Sequence, residues 1–267
     1  MKIVIIGAGK VGYHLAKQLE NKLEELIIVN RRENEVTTKL QKEKLKIIIG
    51  IENIPKDKDV YILAVKDSVI PEVSNQLKDI MLADSLIVHT SGAIESIVLK
   101  SFKNYGVVYP LYSFTFSEQK IDWNKIPIFY VPNNDTTDKK IYTICSKLNQ
   151  QLTFKINDDQ KLKIHLLAVL ANNFTNALAH SIYQLSQPKD IKELNLMPLM
   201  MSFAIQTLQR IQNQSPAVLQ TGPAVRKDTV SIEKHLNLLN NYPDIKELYQ
   251  CFTTYIQNTI ANEQKYK

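Results

Sequence analysis

Short apolar runs fill the first half of the chain, separated by segments whose apolar residues recur with helical spacing. Such runs are typical of strands that are buried on both faces of a parallel sheet. They predict strands over Lys2–Ile6, Leu26–Val29, Leu45–Ile49, Val60–Val65, Ser85–His89, Gly106–Tyr109, Ile128–Val131 and Leu152–Ile156. The segments between them predict helices over Val11–Leu23, Val69–Met81, Ile94–Phe102 and Thr136–Leu148. This alternation predicts an α/β fold with a doubly wound sheet.

After Ile156 the strand-like pattern stops and only helical spacing remains. The run Asp158–Leu185 predicts one long helix, with Asp158 or Asp159 as its N-cap. Further helices are predicted over Pro198–Gln212, Ser231–Leu239 and Pro243–Asn262. We therefore expect two domains: residues 1–156 form the sheet domain, and residues 157–267 form an all-α C-terminal domain.

A glycine-rich turn joins the first predicted strand to the first predicted helix. Its residues are Gly7, Ala8, Gly9, Lys10, Val11 and Gly12. With this GxGxxG spacing, the first glycine permits the tight turn, the second lets the backbone approach a pyrophosphate, and the third lets the helix pack on the strand. The phosphates then meet the positive end of the helix. The turn predicts a dinucleotide site; the alternative is a similar fold that has lost its ligand.

The end of the second predicted strand indicates which dinucleotide binds. A carboxylate there accepts hydrogen bonds from the ribose 2′-hydroxyl of NAD, but this chain has Asn30, Arg31 and Arg32 instead. Two guanidinium groups suit a 2′-phosphate, so the predicted cofactor is NADP, and NADPH usually implies a reduction. The alternative is that both arginines are solvated charges in a polar loop with Glu33 and Glu35.

Composition and charge indicate which other classes of protein and partner are compatible with this sequence. With 267 residues, 44% of them hydrophobic and 22% charged, the chain is typical of a globular protein large enough for two cores. The net charge of +6 comes from scattered basic residues, which predicts no nucleic-acid partner but favours a carboxylate substrate. The cysteines, Cys145 and Cys251, suggest neither a disulfide framework nor a metal site. No apolar run has the length of a membrane span, so we expect a cytoplasmic protein without membrane contacts.

Residues that follow the predicted strands are candidates for contacts with the nicotinamide, because ligands bind outside the carboxyl ends of such strands. These candidates are Ala64, Val65, Lys66, Ser91 and Gly92. Ser91 either hydrogen-bonds the substrate or the carboxamide, or it caps the helix predicted over Ile94–Phe102. Asp67 is a candidate cap for the helix after Lys66, and Tyr109 is either a wall of the site or a participant.

The long predicted helix carries a polar stripe. At about 100° per residue, His165, Asn172, Asn173 and Asn176 share one side, and His180 lies on that side too. Lys163 points roughly the opposite way from His165. Burying amides and an imidazole without partners is costly. The stripe therefore predicts the lining of a wet cleft between the domains; the alternatives are hydrogen bonding between helices and plain solvent exposure.

A second polar segment lies near the C-terminus. Arg226 is a candidate clamp for a substrate carboxylate, and the alternative is a local salt bridge with Asp228. The helix that follows carries His235.

These motifs together resemble a known two-domain family. The matching segments are Gly7–Gly12, His89–Gly92, Tyr109–Leu111, His165 with Asn172–Asn176, and Thr221–Ala224 with Arg226, Asp228 and His235. The family joins an N-terminal Rossmann-like domain to a C-terminal helical domain of formerly unknown function, and it is distantly similar to pyrroline-5-carboxylate reductase and 6-phosphogluconate dehydrogenase. Tyr109 differs from the His expected before Pro110, and Val169 stands where the β-hydroxyacid dehydrogenases have their catalytic Lys. Those two roles are therefore not carried over.

The resemblance implies, as the leading expectation, an NADPH-dependent ketopantoate reductase of the alternative, non-classical kind, which serves pantothenate biosynthesis. In this hypothesis His165 is the general acid, and Asn173, Asn176 and Ser91 complete the catalytic set. The expected substrate-binding residues are Asn172, Arg226 and His235. The alternatives are reduction of another keto acid or a cyclic imine, and a non-catalytic NADP-binding or sensing protein. The long apolar helices also predict a homodimer.

Overall fold

The computed structural model describes residues 1–117 and 120–260, and the chain divides into two compact units. The first unit comprises Met1–Asn172 and the second comprises Asn173–Lys267. The last strand ends at Lys155, near the predicted change from strands to helices, whereas the division between the units lies further along, inside a helical run.

An eight-stranded sheet forms the first unit. Its strands are β1 (Lys2–Ile6), β2 (Glu25–Asn30), β3 (Lys46–Ile49), β4 (Val60–Leu63), β5 (Leu86–His89), β6 (Asn104–Pro110), β7 (Ile128–Pro132) and β8 (Thr153–Lys155). Their order is β3-β2-β1-β4-β5-β6-β7-β8, and every pair is parallel except β6 with β7. The order reverses at β1, between β2 and β4, which is where doubly wound sheets bind ligands. The predicted α/β doubly wound class is confirmed.

The described residues of the first unit form five α-helices. They are α1 (Lys10–Leu19), α2 (Glu35–Lys42), α3 (Ile70–Leu77), α4 (Asp135–Leu148) and α5 (Asp158–Ala168). The sequence pattern did not predict α2, whose start is fixed by a capping box between Asn34 and Thr37. Helix α1 ends at Leu19 and continues only as a 3₁₀ turn over Glu20–Lys22, so the predicted end at Leu23 is too late.

Both faces of the sheet are buried, because alternate residues of each strand point to opposite sides. On β1, Ile3 and Ile5 belong to the cluster that includes Ile141 of α4, whereas Val4 and Ile6 belong to the cluster that includes Ile70 of α3. Full burial of each such side chain contributes about 1.5–3 kcal/mol. The continuous apolar runs of the sequence thus form a sheet with two covered faces.

The predicted helix over Ile94–Phe102 is wrong, because this segment contains only a 3₁₀ turn at Ser96–Leu99. In an α-helix from Ile94, its carbonyl would accept a hydrogen bond from the N–H four residues later. That carbonyl instead accepts a hydrogen bond from the Lys161 ammonium, and the Ser96 N–H donates to the Asp158 carboxylate at 3.0 Å. One side chain of α5 therefore uses the carbonyl that the first helical turn would need as an acceptor.

The predicted long helix exists as a helical run with a π-helical segment in its middle. Helix α5 leads into the π segment Val169–Phe174, and α6 (Thr175–Leu185) follows. The N-cap is Asn157, whose side chain accepts from the Gln160 N–H in a capping box, so the prediction of Asp158 or Asp159 was wrong. The wider π turn also means that angles computed for a regular α-helix do not apply unchanged beyond Val169.

The described part of the second unit, residues 173–260, contains helices and no strand. After α6 they are α7 (Lys189–Lys192), α8 (Leu196–Ile211), α9 (Pro216–Leu219), α10 (Thr229–Leu238) and α11 (Pro243–Tyr255), followed by a π segment over Ile256–Ile260. The all-α character of this region is confirmed, and the predicted end of the last helix at Asn262 lies outside the described residues. Within the residues described, none of the helices combines the length and the apolarity needed to cross a membrane.

Candidate active site

Two glycines of the loop after β1 are required by packing. Gly7 has φ +107°, a conformation that favours glycine, and its N–H donates to the Val29 carbonyl at 2.8 Å. A Cβ on Gly7 would lie 2.5 Å from the Ala64 carbonyl oxygen, and a Cβ on Gly12 would lie 2.0 Å from the Gly7 carbonyl oxygen. Side chains at these positions would separate β1, β4 and α1.

Gly9 differs from both, because protein atoms leave the space beside it open. A Cβ on Gly9 would approach only the Ala64 carbonyl oxygen, at 4.0 Å. Gly9 is the exposed N-cap of α1, and within the described chain no side chain caps this helix and no acidic residue occupies its first turn. The first N–H groups of α1 therefore fit the pyrophosphate of a dinucleotide.

The Asn30 side chain ties the glycine loop to the end of β2. Its Oδ1 accepts from the Ala8 N–H at 3.1 Å, and its Nδ2 donates to the Arg32 carbonyl at 2.6 Å. Arg31 and Arg32 are exposed, and neither forms an ion pair with any described residue. Both guanidinium groups are thus available to a 2′-phosphate, so the residues present fit NADP.

The segment after β4 continues the same edge of the sheet. Ala64 is buried, with its N–H donating to the Ile6 carbonyl at 2.8 Å, while Val65 is half-buried and Lys66 is exposed. Asp67 begins a 3₁₀ turn, and its carboxylate caps neither this turn nor α3, so the predicted cap does not form.

The loop after β5 is held by two side chains. His89 is fully buried and its Nδ1 accepts from the Ser91 N–H at 3.2 Å; burial and then the nearby Lys161 ammonium lower the pKa of His89 to about 4. Ser91 Oγ accepts from the N–H groups of Ala93 at 3.2 Å and Ile94 at 3.0 Å. Ser91 therefore caps a turn rather than the α-helix predicted there, and its hydroxyl still has its own hydrogen to donate.

One stripe of α5 is bound to this loop. Asp158 accepts from the Ser96 hydroxyl at 2.6 Å and pairs with Lys161 at 3.1 Å. Lys161 is only 1% exposed and donates to the Ile94 carbonyl; its burial lowers the pKa of its ammonium, and Asp158 opposes that shift. Because helix residues three and four apart share a face, His165 continues the stripe.

His165, Tyr109 and Gly92 meet at the carboxyl ends of β5 and β6. The Tyr109 hydroxyl lies 3.0 Å from Nδ1 of His165, and the two rings pack edge to face with their centroids 5.9 Å apart. A Cβ on Gly92 would lie 2.5 Å from His165 Nδ1 and 2.8 Å from Tyr109 Cζ. Only glycine at position 92 lets the loop pass this close to both rings.

The three asparagines of the predicted stripe are exposed. Asn172 is the last residue of the first unit and lies in the π segment, Asn173 follows it as the first residue of the second unit, and Asn176 lies in the first turn of α6. π segments are frequent at functional sites.

In the second unit, Arg226 has no ion-pair partner among the described residues, and its suggested partner Asp228 is used otherwise. The Asp228 carboxylate caps α10 by accepting from the Ser231 N–H at 3.0 Å and the Ser231 hydroxyl at 2.7 Å. The alternative of a salt bridge between Arg226 and Asp228 is therefore not realised. His235 is exposed and its Nδ1 lies 2.8 Å from the Tyr249 hydroxyl.

The sequence analysis missed Lys161, and it left Tyr109 open as either a wall of the site or a participant. The spacing of Lys161 and His165, four residues apart on a helix, was the signal that both side chains share one face. Tyr109 and His165 are 56 residues apart, and no local pattern connects them.

Sequence comparison agrees with the geometry of the nucleotide loop. Residues 2–92 match the family described as NADP oxidoreductase, coenzyme F420-dependent, and the chain is an NADP-dependent oxidoreductase. Residues 128–256 match the domain of unknown function DUF2520, so the chain joins these two regions, and the resemblance derived from its motifs is confirmed. A search of curated proteins finds no significant match.

Solved structures share the fold over nearly the whole chain. BF3122 of Bacteroides fragilis, a candidate NADP oxidoreductase, is 28% identical, with 96% of this chain and 97% of that chain covered and a TM-score of 0.85. The protein TM1727 of Thermotoga maritima is 22% identical, with 98% and 99% covered and a TM-score of 0.67. The NADP-bound pyrroline carboxylate reductase of Plasmodium falciparum is 14% identical, with 97% and 98% covered and a TM-score of 0.59. At these identities, the last two agree with this chain in fold alone.

Proposed function

We propose that this protein uses NADPH to reduce the keto group of a small 2-keto acid, and that its substrate is ketopantoate, which becomes pantoate. The observation that carries the proposal is the position of His165, held beside Tyr109 and Gly92 where β5 and β6 end. In a doubly wound sheet the dinucleotide lies across the carboxyl ends of the strands near the switch point, and β4 and β5 follow β1 in the order of this sheet. A proton donor at that edge suits the reduction of a carbonyl.

The keto oxygen gains negative charge in the reaction and needs a proton and hydrogen-bond donors. NADPH, when bound, supplies the hydride. His165 gives the proton to the oxygen, and the amides of Asn173 and Asn176 orient it. The Ser91 hydroxyl, whose oxygen already accepts two backbone N–H groups, donates its hydrogen to the substrate or the carboxamide.

A carboxylate next to the keto group needs a cation. Arg226 takes this role, which is supported by its exposure and by the use of Asp228 as a helix cap. Asn172 and His235 complete the contacts to the substrate. At the other end of the cofactor, Arg31 and Arg32 bind the 2′-phosphate, and this selects NADPH over NADH.

The proposal is tested by following nicotinamide absorbance with ketopantoate, other 2-keto acids and a cyclic imine, each with NADPH and NADH. We expect turnover of ketopantoate with NADPH, and a loss of about a hundredfold or more in kcat for His165→Ala and for Asn173→Ala. The matched control is His180→Ala, because His180 is an exposed histidine of the same helical run, stacked on Tyr183. Its kcat should stay within about twofold of the wild type.

Three other outcomes of this substrate screen would contradict the proposal. Turnover of the cyclic imine alone identifies an imine reductase. Binding of NADPH with no oxidation across the panel identifies a binding or sensing protein. Undiminished turnover in both His165→Ala and Asn173→Ala removes the assigned roles.

We also propose that two copies of the chain pair through the second unit. The support is the number of large apolar side chains that its helices leave exposed, among them Leu199, Phe203 and Leu238.

A further inference from the structure

Tyr109 binds the imidazole of His165 at a fixed geometry. The tyrosine is 9% exposed, its hydroxyl is 3.0 Å from Nδ1, and the ring planes meet at 74°. Gly92 closes the other side, since even a methyl group there would overlap both rings. The pair is therefore packed into one arrangement, and Nε2 is the nitrogen that remains for a ligand.

The phenol can serve the imidazole in both of its charge states. Burial raises the pKa of Tyr109, so the hydroxyl keeps its proton at neutral pH. Next to a neutral imidazole, the hydroxyl donates to Nδ1, which leaves the ring hydrogen on Nε2. Next to an imidazolium, Nδ1–H donates to the phenol oxygen. In both cases Nε2 carries a hydrogen.

We infer that Tyr109 is the positioning residue of the proton donor, and that it holds His165 with its transferable hydrogen on Nε2. This inference rests on the proposed reduction of a keto acid. Tyr109 touches His165 and needs no contact with the substrate.

The proposed reduction moves one hydride and one proton to the keto group. A hydride from NADPH forms the new C–H bond, the C=O π bond breaks, and the carbonyl oxygen takes the Nε2 proton of the imidazolium; NADPH leaves as NADP⁺. Directly after the transfer the imidazole is neutral with its hydrogen on Nδ1, where it donates to the Tyr109 oxygen; this transient form differs from the resting neutral ring, whose hydrogen is on Nε2. The same hydrogen bond thus persists through the step, and the half-exposed ring regains a proton from water.

Other titratable groups lie on the elements that surround His165. On its own helix, Asp158 and Lys161 bind each other at 3.1 Å. On the loop after β5, His89 is buried, with a pKa lowered to about 4 by burial and by Lys161, and its Nε2 lies 3.4 Å from the backbone carbonyl of Glu95. The Glu95 carboxylate is exposed and acts electrostatically on the Lys161 ammonium. From β6, Tyr109 is the titratable group that bonds the imidazole.

The kinetic test compares Tyr109→Phe with Tyr61→Phe. Tyr61 is a matched control, because its buried hydroxyl donates to the Pro55 carbonyl at 2.7 Å in the core of the same sheet. For Tyr109→Phe we expect kcat to fall about tenfold, with KM for NADPH and for the keto acid within about twofold. Because the phenol bonds Nδ1 in both charge states of the ring, its removal should also change the dependence of kcat on pH.

The result that overturns the inference is a Tyr109→Phe enzyme with unchanged kcat and an unchanged pH profile. Equal changes in KM and kcat together with a lower melting temperature would also overturn it, because they would mark Tyr109 as a packing residue. Tyr61→Phe should leave the pH profile in place even if it lowers the melting temperature.

A spectroscopic measurement separates this inference from the proposed function. In ¹⁵N-labelled protein, assigned with His165→Gln, the neutral His165 ring should carry its hydrogen on Nε2, and Tyr109→Phe should yield a mixture of tautomers. That outcome supports the inference even if ketopantoate is not the substrate. A neutral ring with its hydrogen on Nδ1 in the wild type overturns it, whatever the substrate is.

Discussion

The two units of this chain differ in how they cover their apolar side chains. In the first unit both faces of the sheet are buried, and the main clusters contain residues from its strands and helices. In the described part of the second unit, the buried residues are Ser186, Ala217, Ala224 and Leu239. Four large apolar side chains of α8 are between 53% and 65% exposed: Leu199, Phe203, Ile205 and Leu208. Helices of this length owe most of their stability to packing of an apolar face.

The difference in how the two units cover their apolar side chains indicates that they have different roles. The first unit has its own core and contains the glycine loop, the arginine pair and the His165–Tyr109 pair. The second unit carries apolar surface of the kind that protein interfaces use. Substitutions confined to one unit therefore test whether the two units have separate roles.

The largest effect is expected from charges on α8. Leu199→Glu with Phe203→Glu should convert a dimer into monomers, because each apolar side chain contributes roughly 2 kcal/mol when buried. Light scattering should give twice the chain mass of 30.6 kDa for the wild type and 30.6 kDa for the variant. Gln209→Glu with Gln212→Glu adds the same charges at the end of this helix, about 100° and 160° from the face of Leu199 and Phe203, and should remain dimeric. NADPH affinity should be unchanged in all three proteins; a monomeric wild type would contradict the assigned role of the second unit.

The next effect separates packing from ligand binding in the glycine loop. Gly12→Ala should destabilise the first unit by about 3 kcal/mol, because its Cβ would lie 2.0 Å from the Gly7 carbonyl oxygen. Gly9→Ala should keep wild-type stability and weaken NADPH binding, since its Cβ meets only solvent and the phosphate position. Urea unfolding followed by the fluorescence of Trp123, the single tryptophan, reports on the first unit. Equal stability losses in both variants would refute the distinction.

A smaller effect is expected from the buried His89 as the pH falls. The ordinary pKa of histidine is about 6.5, and burial, with Lys161, lowers that of His89 to about 4, so the unfolded chain takes up the proton first. Stability present above pH 6.5 is then lost as the pH falls toward 4, by about 2 kcal/mol between pH 7 and 5. Trp123-detected unfolding of His89→Gln should show a flatter dependence on pH. His235→Gln changes an exposed histidine of the second unit and should show the same dependence of stability on pH as the wild type. If the stability of His89→Gln fell with pH as steeply as that of the wild type, His89 would not be the source of the pH dependence.

Much of the first unit was predictable because buried parallel strands read as continuous apolar runs. The run Ile128–Val131, for example, lies wholly within β7. Helix α2 was missed because its stability comes from capping by Asn34 and Thr37, with only Val36 and Leu40 as apolar residues among polar ones. The helix expected from Ile94 failed because Lys161, far along the chain, removed its first hydrogen-bond acceptor.

The candidate site was predictable to the extent that its residues follow strands. Ser91 and Gly92 were found from their position after β5, and His165 from the polar stripe. The partner of His165 was not found, because a hydrogen bond between residues 56 positions apart depends on how α5 lies against β6. Lys161 was not predicted to be part of the site, because a hydrophobic pattern assigns lysine to the exposed side of a helix. Lys161 is instead the most deeply buried charge on that stripe.

The attachment of α5 through Asp158, Lys161 and His165 makes the length of this segment as important as its composition. Each residue turns an α-helix by about 100°, so a single insertion or deletion between Asp158 and His165 would swing the imidazole away from Tyr109 while Asp158 kept its bond to Ser96. Substitutions at exposed positions such as Leu162 and Lys163 should then leave the imidazole in place, whereas an insertion or deletion there should displace it. The number of residues between Asp158, which is bound to Ser96, and His165 therefore sets the position of the imidazole.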